Sequence, residues 1–537
     1  MRWIRPLSAQ VEEGAELLGA KAHGLVALHR LGLPVPAGFV VTTEACRAFL
    51  REGRLPGGLD EELATALAGL EAATGRRFGG AGTPLAVSVR SGASVSMPGM
   101  LNTVLNLGLT TGATAGLAAE TGDAGFALDS RLRFLSTFAS AITGTDVAGL
   151  AAQDGEARLA DAIEAVQELA RLRGRPIPDD AGRQLVLAVG TVFSSWDTPR
   201  ARTYRELHDI PHDLGTAAIV QTMVYGNRDE HSGTGVAFSR DPNTGENIPY
   251  GDVLFGRQGE DVVSGRSPTR PLRELAGREP AVWAALSDAL DRVEEHYRDA
   301  CYVEFTFEAG KLWILQVRPG AVVGGAAVRV ATELADERLI SRREALLRVS
   351  PEHLRHVRTP RMALSARDDI VARGVGACPG VASGRIATTT DAAVRMSADG
   401  PVILVRPETS PHDMRGLAAA SGIVTARGGP ASHAAVVARA MGKPAVVGVT
   451  GLVVGAASVS AGGRALGEGT LVTIDGTGGE VALGSPRITT DGAGAHLRRL
   501  LAWADDVSGD HSERDETQRL TAARAALRHD EPPGRHR

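Results

Sequence analysis

One histidine begins a small-residue helical run in the stretch GGPASHAAVVARAMGKP, residues 428 to 444. His433 follows two glycines and precedes alanines and valines, so we expect a helix to start near Ser432. A neutral imidazole nitrogen is a competent nucleophile at pH 7, and a helix N-terminus offers free backbone N–H groups to a phosphate. The stretch also fits a histidine that only starts a helix, so the other segments must show whether it has a reaction partner.

Lysine is rare in this chain, with Lys21, Lys311 and Lys443 among 58 basic residues. Because arginine is used almost everywhere else, we expect lysine to remain where a compact ammonium is needed. Chance survival of any one of them is equally open. Lys21 lies between glycines in ELLGAKAHGLVALHR, just ahead of a helical run, and from a turn there it can reach a phosphate.

A second cation, Arg90, ends a predicted strand in LAVSVRSGASVSMPGMLNTVLNLGL, residues 85 to 109. Small residues and glycine follow it, then Met-Pro-Gly-Met, which predicts a flexible loop. An arginine at the end of a strand above such a loop suits bidentate recognition of phosphate. A surface arginine beside a turn fits the same pattern.

A glycine-rich core occurs in NRDEHSGTGVAFSRDPNTGE, residues 227 to 246. We interpret Gly233, Thr234 and Gly235 as a loop whose backbone N–H groups can approach an anion closely. It is not a Walker loop, because no Gly-Lys-Ser/Thr follows. Taken alone, the loop is weak evidence for a phosphate site.

The segment YVEFTFEAGKLWILQVRPG, residues 302 to 320, predicts a β-hairpin with the three-residue loop Glu308-Ala309-Gly310. That register places Glu304 opposite Ile314 and puts Glu304, Gln316 and Arg318 on one face. A carboxylate, an amide oxygen and a guanidinium together suit Mg²⁺ and a polyphosphate. A solvated polar face is the alternative, and Ile314 in the same row keeps it open.

The elements that must position these residues fall into two α/β (α+β) regions. Residues 1–335 alternate helical patterns with strands such as GFVVTT, LAVSVRS, AAIVQTMVYG and YVEFTF. Residues 336–374 are charged and predict a helical connector. Residues 375–490 predict a second compact domain of Gly/Ala/Val-rich strands and turns, and residues 491–537 a connector helix followed by a mobile tail.

The bulk composition excludes several classes of protein. With 43% hydrophobic and 23% charged residues and a net charge of −5, the 537-residue chain fits a soluble globular protein and does not indicate nucleic acid or membrane as a partner. Cys46, Cys301 and Cys378 lie far apart, which favours reduced buried thiols. The N-terminal stretch carries acids where a signal peptide needs an apolar core, so we expect a cytoplasmic location.

These segments, in this order, resemble the pyruvate, phosphate dikinase family of phosphoenolpyruvate-utilising enzymes. The resemblance covers residues from about 15 to 505. Besides the segments quoted above, it rests on SSWDTPRARTYRELHDI, IVQTMVYGN, QGEDVVSG and ILVRPETSPHDMRGL. It implies an ATP-grasp nucleotide-binding domain at residues 1–335, which holds ATP between two subdomains, and a swivelling phosphohistidine domain at residues 375–490.

The resemblance also implies the site residues. His433 corresponds to the phosphorylated histidine, which takes the β-phosphoryl group of ATP through a pyrophosphorylated intermediate that inorganic phosphate cleaves, releasing AMP and pyrophosphate. The cofactors implied are ATP and Mg²⁺. The metal contacts implied are Glu304 and Gln316. The contacts implied for ATP and phosphate are Lys21, Arg90, Gly233, Thr234, Gly235 and Arg318.

The chain departs from the family pattern in three places. Tyr302 stands where the family usually has an aspartate, and Ala431 where it usually has a threonine. A barrel for pyruvate or phosphoenolpyruvate needs about 250 residues, and 47 follow residue 490. We therefore expect the acceptor barrel to be missing and a separate barrel protein to be a partner, with pyruvate as the final acceptor or phosphoenolpyruvate as donor in reverse. A homodimer is left open.

Three other functions stay open beside this one. In a phosphoenolpyruvate-synthase-like half-reaction, water replaces phosphate as the second acceptor. An antibiotic phosphotransferase of the rifampicin type also combines these two domains, but the connector of residues 336–374 is too short for its inserted acceptor domain. A catalytically inactive truncated relic that binds nucleotide is the third. The expected absence of the barrel and Tyr302 favour it, and the joint presence of the site residues disfavours it.

Overall fold

The computed structural model describes residues 2–95, 97, 100–145, 147, 155–259, 261, 269–320, 322, 324–355, 357, 360–363, 369–430, 432–490 and 494–529. Within them the chain is a mixed α/β protein, as predicted, and it divides into two compact units. Unit 1 comprises Met1–Ser232 and Thr306–Val317, and unit 2 comprises Gly233–Phe305 and Arg318–Arg537.

Unit 1 is built on an antiparallel sheet. Its strands are β1 (Ile4–Pro6), β2 (Gly38–Val41), β3 (Arg77–Phe78), β4 (Pro84–Leu85), β5 (Val87–Gly92), β6 (Thr103–Leu107) and β7 (Ala217–Thr222). In the sheet the order is β1-β2-β7-β5-β6, and β3 and β4 form a short parallel pair beside it. The predicted strands GFVVTT, LAVSVRS and AAIVQTMVYG are thereby confirmed as β2, β5 and β7.

Helices pack on this sheet and close the core of unit 1. They span Ala15–Arg30, Thr43–Glu52, Leu59–Thr74, Thr111–Thr121, Ala124–Thr143, Glu156–Leu172, Ala181–Ser194 and Pro199–Leu207. Three of them start at side-chain caps: Thr110 accepts from the Ala113 N–H, Asp123 from the Phe126 N–H and Asp180 from the Arg183 N–H. Fully buried aromatic rings fill the core between helices and sheet, including Phe134, Phe138 and Phe193.

Unit 2 begins with a second sheet. Its strands are β8 (Gly233–Phe238), β9 (Tyr250–Phe255), β10 (Arg270–Pro271) and β11 (Cys301–Glu308), which lie side by side in the order β10-β9-β8-β11. Helices Glu274–Arg278 and Pro280–Tyr297 connect β10 to β11. Strand β12 (Lys311–Pro319) follows β11, and both strands contribute residues to each unit.

The turn between β11 and β12 differs from the prediction by one residue. Ala309 and Gly310 both have positive φ, 48° and 75°, so the loop has the two left-handed residues of a type I′ turn. Glu308 ends β11 instead of entering the loop. The predicted pairing of Glu304 with Ile314 depended on a three-residue loop and therefore loses its basis.

A group of helices in unit 2 joins the connector to the end of the chain. Their shared apolar core includes four fully buried leucines, Leu334, Leu346, Leu500 and Leu520. The helices span Gly324–Asp336, Arg342–Arg348, Pro351–Arg355, Ala495–Ser508 and Glu516–His529. Within the described residues, no helix is long and apolar enough to cross a membrane.

Two predictions for this region are wrong. The connector predicted at 336–374 is not helical throughout, because β13 (Pro360–Met362) and β14 (Ile370–Arg373) are strands. The tail predicted to be mobile holds the helix Glu516–His529, whose Leu520, Ala523 and Leu527 are buried. Their spacing of three and four residues forms a helical apolar stripe that a low overall apolar content conceals. Residues 530–537 lie outside the described residues.

The last sheet of unit 2 carries the histidine segment. The strands after β14 are β15 (Val375–Cys378), β16 (Val381–Ala387), β17 (Val402–Arg406), β18 (Gly422–Thr425), β19 (Ala445–Val447), β20 (Val453–Val454), β21 (Ser458–Ala461), β22 (Arg464–Gly467), β23 (Leu471–Asp475), β24 (Glu480–Leu483) and β25 (Ile488–Thr490). In the sheet the order is β14-β24-β23-β16-β17-β18-β19-β15, and β16 to β19 are mutually parallel. Helices Thr390–Ser397, Met414–Ala419 and His433–Met441 connect the parallel strands.

The cysteines agree with the sequence analysis. Cys46, Cys301 and Cys378 are all free and buried. Burial raises the pKa of each thiol above its ordinary value, so all three stay protonated and unreactive at neutral pH.

Candidate functional site

His433 is the first residue of the helix His433–Met441, and we call this helix the histidine helix. The helix is the crossover between the parallel strands β18 and β19, so its N-terminus lies at the carboxyl edge of the sheet. Ala434, Ala435 and Ala438 face the sheet and are buried. The prediction of a helix beginning near Ser432 is confirmed, since Ser432 is its N-cap residue.

The two ring nitrogens of His433 have different surroundings. Nδ1 lies 2.9 Å from the hydroxyl oxygen of Thr409, whereas Nε2 is buried and has no hydrogen-bond partner among the described residues. Burial lowers the pKa of His433, and the negative charge of Asp413 partly opposes that shift. The imidazole is therefore neutral at pH 7, and if Nδ1–H donates to Thr409, the lone pair of Nε2 is free to react.

The segment that presents Thr409 is itself fixed by hydrogen bonds. It follows β17, the parallel neighbour of β18, so both segments leave the sheet at the same edge. Ser410 and Asp413 form a capping box there. The second oxygen of the Asp413 carboxylate accepts from the Thr390 hydroxyl at 3.0 Å and lies 3.2 Å from Nε of Arg406.

The approach to the histidine is narrow and contains two glycines. Gly428 has φ 102°, and a Cβ atom there would lie 2.8 Å from Cβ of Ser432. The Ser432 hydroxyl is buried beside it and, within the described residues, has no hydrogen-bond partner. A donor of this kind at the N-terminus of the histidine helix suits a phosphoryl group on Nε2. Ala431 lies outside the described residues.

Two cations, one in the last turn of the histidine helix and one just after it, bind backbone carbonyl oxygens. The Arg439 guanidinium donates to the carbonyl oxygens of Ala377 at 2.9 Å and Pro430 at 2.6 Å. Lys443 Nζ donates to the carbonyl oxygens of Leu417 at 3.0 Å, Ala420 at 2.6 Å and Ala418. Three carbonyls converge on Lys443 at the end of the helix Met414–Ala419, an arrangement that suits a compact ammonium.

In unit 1, close backbone contact brings Lys21 to the strand that carries Arg90. Gly19 interrupts the helix Ala15–Arg30 with φ 77°, and a Cβ atom there would lie 1.7 Å from the Gly92 carbonyl oxygen. The Ala20 N–H donates to the Ala93 carbonyl at 2.9 Å. Lys21 therefore stands beside the end of β5, inside the helix and not ahead of it.

Arg90 points to the residue that was predicted as a metal contact. Its guanidinium donates to the Leu315 carbonyl at 3.2 Å and to the Gln316 side-chain oxygen at 3.5 Å. Gln316 is buried, with 2% of its surface exposed. Within unit 1 the chain thus brings Lys21, Arg90 and Gln316 to β5 and the strand β12.

In unit 2, Glu304 and Arg318 lie together, as predicted. A guanidinium nitrogen of Arg318 is 3.9 Å from a Glu304 carboxylate oxygen, and the Tyr302 hydroxyl is 3.5 Å from the same oxygen. Both charged side chains are partly exposed, 37% for Arg318 and 21% for Glu304. Burial raises the pKa of Tyr302 strongly, so its phenol is neutral and does not replace a carboxylate.

The predicted glycine loop is wrong in its local structure. Gly233, Thr234 and Gly235 lie in strand β8 and are fully buried there. The Thr234 hydroxyl donates to the Phe305 carbonyl at 3.1 Å. A Cβ atom on Gly235 would lie 2.5 Å from the Asp252 carbonyl and 2.6 Å from the Phe305 ring, so glycine is needed for packing.

The described residues contain no cluster of three or more His, Cys, Asp or Glu side chains that could hold a metal by itself. Mg²⁺ in phosphoryl-transfer sites is commonly held by one or two carboxylates together with substrate phosphates. The partly exposed carboxylate of Glu304 fits that limited role. A preformed cage is not required.

Sequence reasoning missed Thr409, Asp413 and Arg439. The first two stand in ILVRPETSPHDMRGL, a segment used for the family resemblance without a role for either residue. Thr409 precedes His433 by 24 residues, and only the parallel pairing of β17 with β18 brings them together. A polar segment directly after a buried strand was the available signal.

Comparisons with known proteins identify two regions. Residues 15–74 and 54–274 match the AMP/ATP-binding domain of pyruvate phosphate dikinase. Residues 398–479 match the mobile domain of PEP-utilising enzymes, and this range includes β17, β18 and the histidine helix.

Curated relatives agree with these two matches. The chain is 41% identical to pyruvate, phosphate dikinase of Rhizobium meliloti (strain 1021), over 94% of the chain and 60% of the relative. It is 41% identical to pyruvate, phosphate dikinase 2 of Zea mays, over 92% and 58%, and 38% identical to the Clostridium symbiosum enzyme, over 94% and 60%. The chain thus spans about 60% of the length of the curated relatives it matches. A separate barrel protein stays an untested prediction.

Proposed function

Because the chain joins an AMP/ATP-binding domain of the pyruvate phosphate dikinase type to a mobile domain of PEP-utilising enzymes, we propose that it is an ATP-dependent phosphotransferase whose first acceptor is Nε2 of His433. The observation that carries the proposal is the asymmetry of the imidazole. Nδ1 faces Thr409 at 2.9 Å, and Nε2 has no partner in the described part of the chain.

The proposed reaction begins with a neutral nucleophile. The lone pair of Nε2 attacks the β-phosphorus of ATP, the bond from that phosphorus to the oxygen of the α-phosphate breaks, and AMP leaves. Inorganic phosphate then attacks the γ-phosphorus, which releases pyrophosphate and leaves one phosphoryl group on Nε2. The positive charge that develops on the ring is stabilised by the Thr409 hydroxyl at Nδ1 and by the nearby negative charge of Asp413.

Phosphoryl transfer depends mainly on positioning and on charge neutralisation. Lys21 and Arg90 in unit 1, and Arg318 in unit 2, are proposed as phosphate contacts. Glu304 in unit 2 is proposed to hold Mg²⁺ together with the ATP phosphates, and Gln316 in unit 1 remains a proposed metal contact. When bound, Mg²⁺ neutralises charge on the phosphates. Gly233, Thr234 and Gly235 remain proposed contacts, but as part of a strand.

We also propose the architecture and the second half-reaction that the resemblance implies. The nucleotide-binding region has the ATP-grasp fold, and the domain of His433 swivels between sites. Phosphohistidine then passes its phosphoryl group to pyruvate, or receives it from phosphoenolpyruvate in reverse.

Labelled ATP tests the first half-reaction. The protein is incubated with ATP labelled at the β-phosphorus, MgCl₂ and phosphate, and acid-labile, base-stable label on the protein is measured. We expect label on the wild type and none on His433→Ala. His412→Ala is the matched control, because His412 is an exposed histidine of the same domain, and it is expected to label like the wild type.

The same experiment separates the alternatives. Release of pyrophosphate that requires added phosphate supports the dikinase reaction, and release of the γ-phosphoryl group as inorganic phosphate without added phosphate supports water as second acceptor. ATP binding without any label on the wild type would instead fit a nucleotide-binding relic and would refute the proposal.

A further inference from the structure

Four side chains of unit 2 form a continuous row of contacts, in which two aromatic rings lie between two guanidinium groups. The Arg318 guanidinium carbon lies 5.7 Å from the centre of the Tyr302 ring. The rings of Tyr302 and Phe238 meet edge to face, with centroids 5.1 Å apart and an angle of 65°. The Arg439 guanidinium carbon lies 5.4 Å from the centre of the Phe238 ring. All of these distances are in the range of attractive cation–π and aromatic contacts. We call these four residues the aromatic stack.

The two ends of the aromatic stack lie at different sites. At one end, Arg318 and its neighbour Glu304 are the proposed nucleotide and metal contacts of unit 2. At the other end, Arg439 belongs to the histidine helix and donates to the Pro430 carbonyl, three residues before His433. The stack therefore connects a proposed phosphate contact to the backbone that presents the nucleophile.

The inner part of the stack is closed to solvent. Phe238 is 3% exposed, Arg439 7% and Tyr302 8%. Burial lowers the pKa of the Arg439 guanidinium, which reflects the cost of holding a cation away from water. The face of the Phe238 ring offsets part of that cost, since aromatic faces attract cations most when both are desolvated.

A second set of contacts joins the same two domains within unit 2. Gly429 lies so close to strand β9 that a Cβ atom would be 2.3 Å from an oxygen of the Asp252 carboxylate and 2.6 Å from the Thr269 hydroxyl. The Asn243 side-chain amide donates to the Gly376 carbonyl at 3.3 Å. Gly429, in the approach to His433, thus packs directly against the sheet formed by β8 to β11.

From these contacts we propose that the aromatic stack is a docking face for the histidine domain of this same chain, and that nucleotide bound at Arg318 strengthens the docking. A polyphosphate on the exposed side of Arg318 holds the guanidinium over the Tyr302 ring. The fixed ring in turn holds Phe238 as a platform for Arg439. This inference rests on the proposed function, because it takes Arg318 and Glu304 to be nucleotide contacts.

Hydrogen exchange of the glycine approach measures the docking. The probe is α,β-methylene-ATP with MgCl₂, which cannot transfer its β-phosphoryl group. In the wild type we expect the probe to slow exchange of the peptide containing Gly428 and Gly429 by about fivefold or more, the lower end of common allosteric couplings. In Phe238→Leu, which removes the ring but keeps an apolar side chain, we expect less than about a twofold effect.

Two variants control for loss of folding. Tyr302→Phe keeps the ring and is expected to respond like the wild type. Phe138→Leu changes a fully buried ring of unit 1 outside the stack and is also expected to respond like the wild type. If Phe238→Leu does not fold, Tyr302→Leu replaces it with the same expected loss of response.

The outcomes separate this inference from the proposed function. No nucleotide-dependent protection in the wild type, or equal protection in Phe238→Leu, would overturn the inference. Labelling of His433 by ATP is measured independently on the same proteins. Protection that depends on Phe238 without any labelling would support the docking face while contradicting the proposed chemistry.

Discussion

At the scale of single residues, the proposed chemistry depends on which ring nitrogen of His433 has a hydrogen-bond partner. Thr409 meets Nδ1 and leaves Nε2 without a partner in the described residues. The sequence predicts the position of His433 at the start of a helix, because the glycines and the helical pattern are adjacent to it in the chain. It does not predict Thr409, because two parallel strands must pair before these residues meet.

Replacing Thr409 by valine tests the assignment of the two nitrogens. Valine keeps the shape of threonine but removes the hydroxyl, so Nδ1 is left buried without its partner. We expect phosphohistidine formation to slow by about 10- to 100-fold, with little change in nucleotide affinity. Rapid-quench labelling measures the rate. Thr409→Ser retains the hydroxyl and should recover most of the activity, and equal loss in both variants would show that the hydrogen bond is not the cause.

The protonation of His433 provides a second test at this scale. Burial lowers the pKa of His433 below the ordinary value of 6.5, so the unfolded chain binds a proton there at a higher pH than the folded chain. His433 therefore reduces the stability of unit 2 as pH falls from about 6.5 through the folded pKa, and has no such effect above about 6.5. An NMR titration of the imidazole should have a midpoint below 6.5, and a midpoint at or above that value contradicts the assignment.

At the scale of elements, glycines decide where the candidate residues stand. Valine- and isoleucine-rich runs predicted β2, β5 and β7 correctly, because strand patterns depend on local composition. The glycines of residues 233–235 were misinterpreted as a loop. A close approach of Phe305 and the Asp252 carbonyl to Gly235 requires glycine in a strand, and such crowding depends on tertiary structure that the sequence does not reveal.

Gly19 offers a test of how Lys21 is positioned. In Gly19→Ala the new Cβ atom would collide with the Gly92 carbonyl, and φ 77° would be strained. We expect unfolding to become easier by about 2–5 kcal/mol, with weaker ATP binding. Gly53→Ala is the matched control, since Gly53 has φ 68° and nothing within 4 Å, and should cost only about 1–2 kcal/mol. Urea denaturation measures both, and equal losses would mean that the contact with Gly92 is unimportant.

Lys443 offers a test of how the histidine helix is anchored. Lys443→Met leaves the carbonyl oxygens of Leu417, Ala418 and Ala420 without their shared donor. We expect a loss of about 2–4 kcal/mol in the stability of unit 2, measured by thermal unfolding. Lys443→Arg keeps the charge but places a planar fork where three carbonyls converge, so it should recover only part of the loss. Full recovery would show that charge alone matters.

At the scale of the whole molecule, the sequence correctly predicted a mixed α/β chain but not its division into two units. Unit 2 contains both the strand of Glu304 and the domain of His433. The helix Glu516–His529 was also missed, because its three buried positions are diluted by charged residues. Long-range packing decides both features, and local patterns indicate neither.

Phosphorylation of His433 on Nε2 by ATP is the proposed step on which the other predictions depend. The most direct measurement is ³¹P NMR of the protein after reaction with ATP, MgCl₂ and phosphate, combined with mass spectrometry of the peptide that contains His433. We expect one phosphoryl group per chain, attached to Nε2 and absent from His433→Asn. A phosphoryl group on Nδ1, on Ser432, or on no residue of this peptide would contradict it.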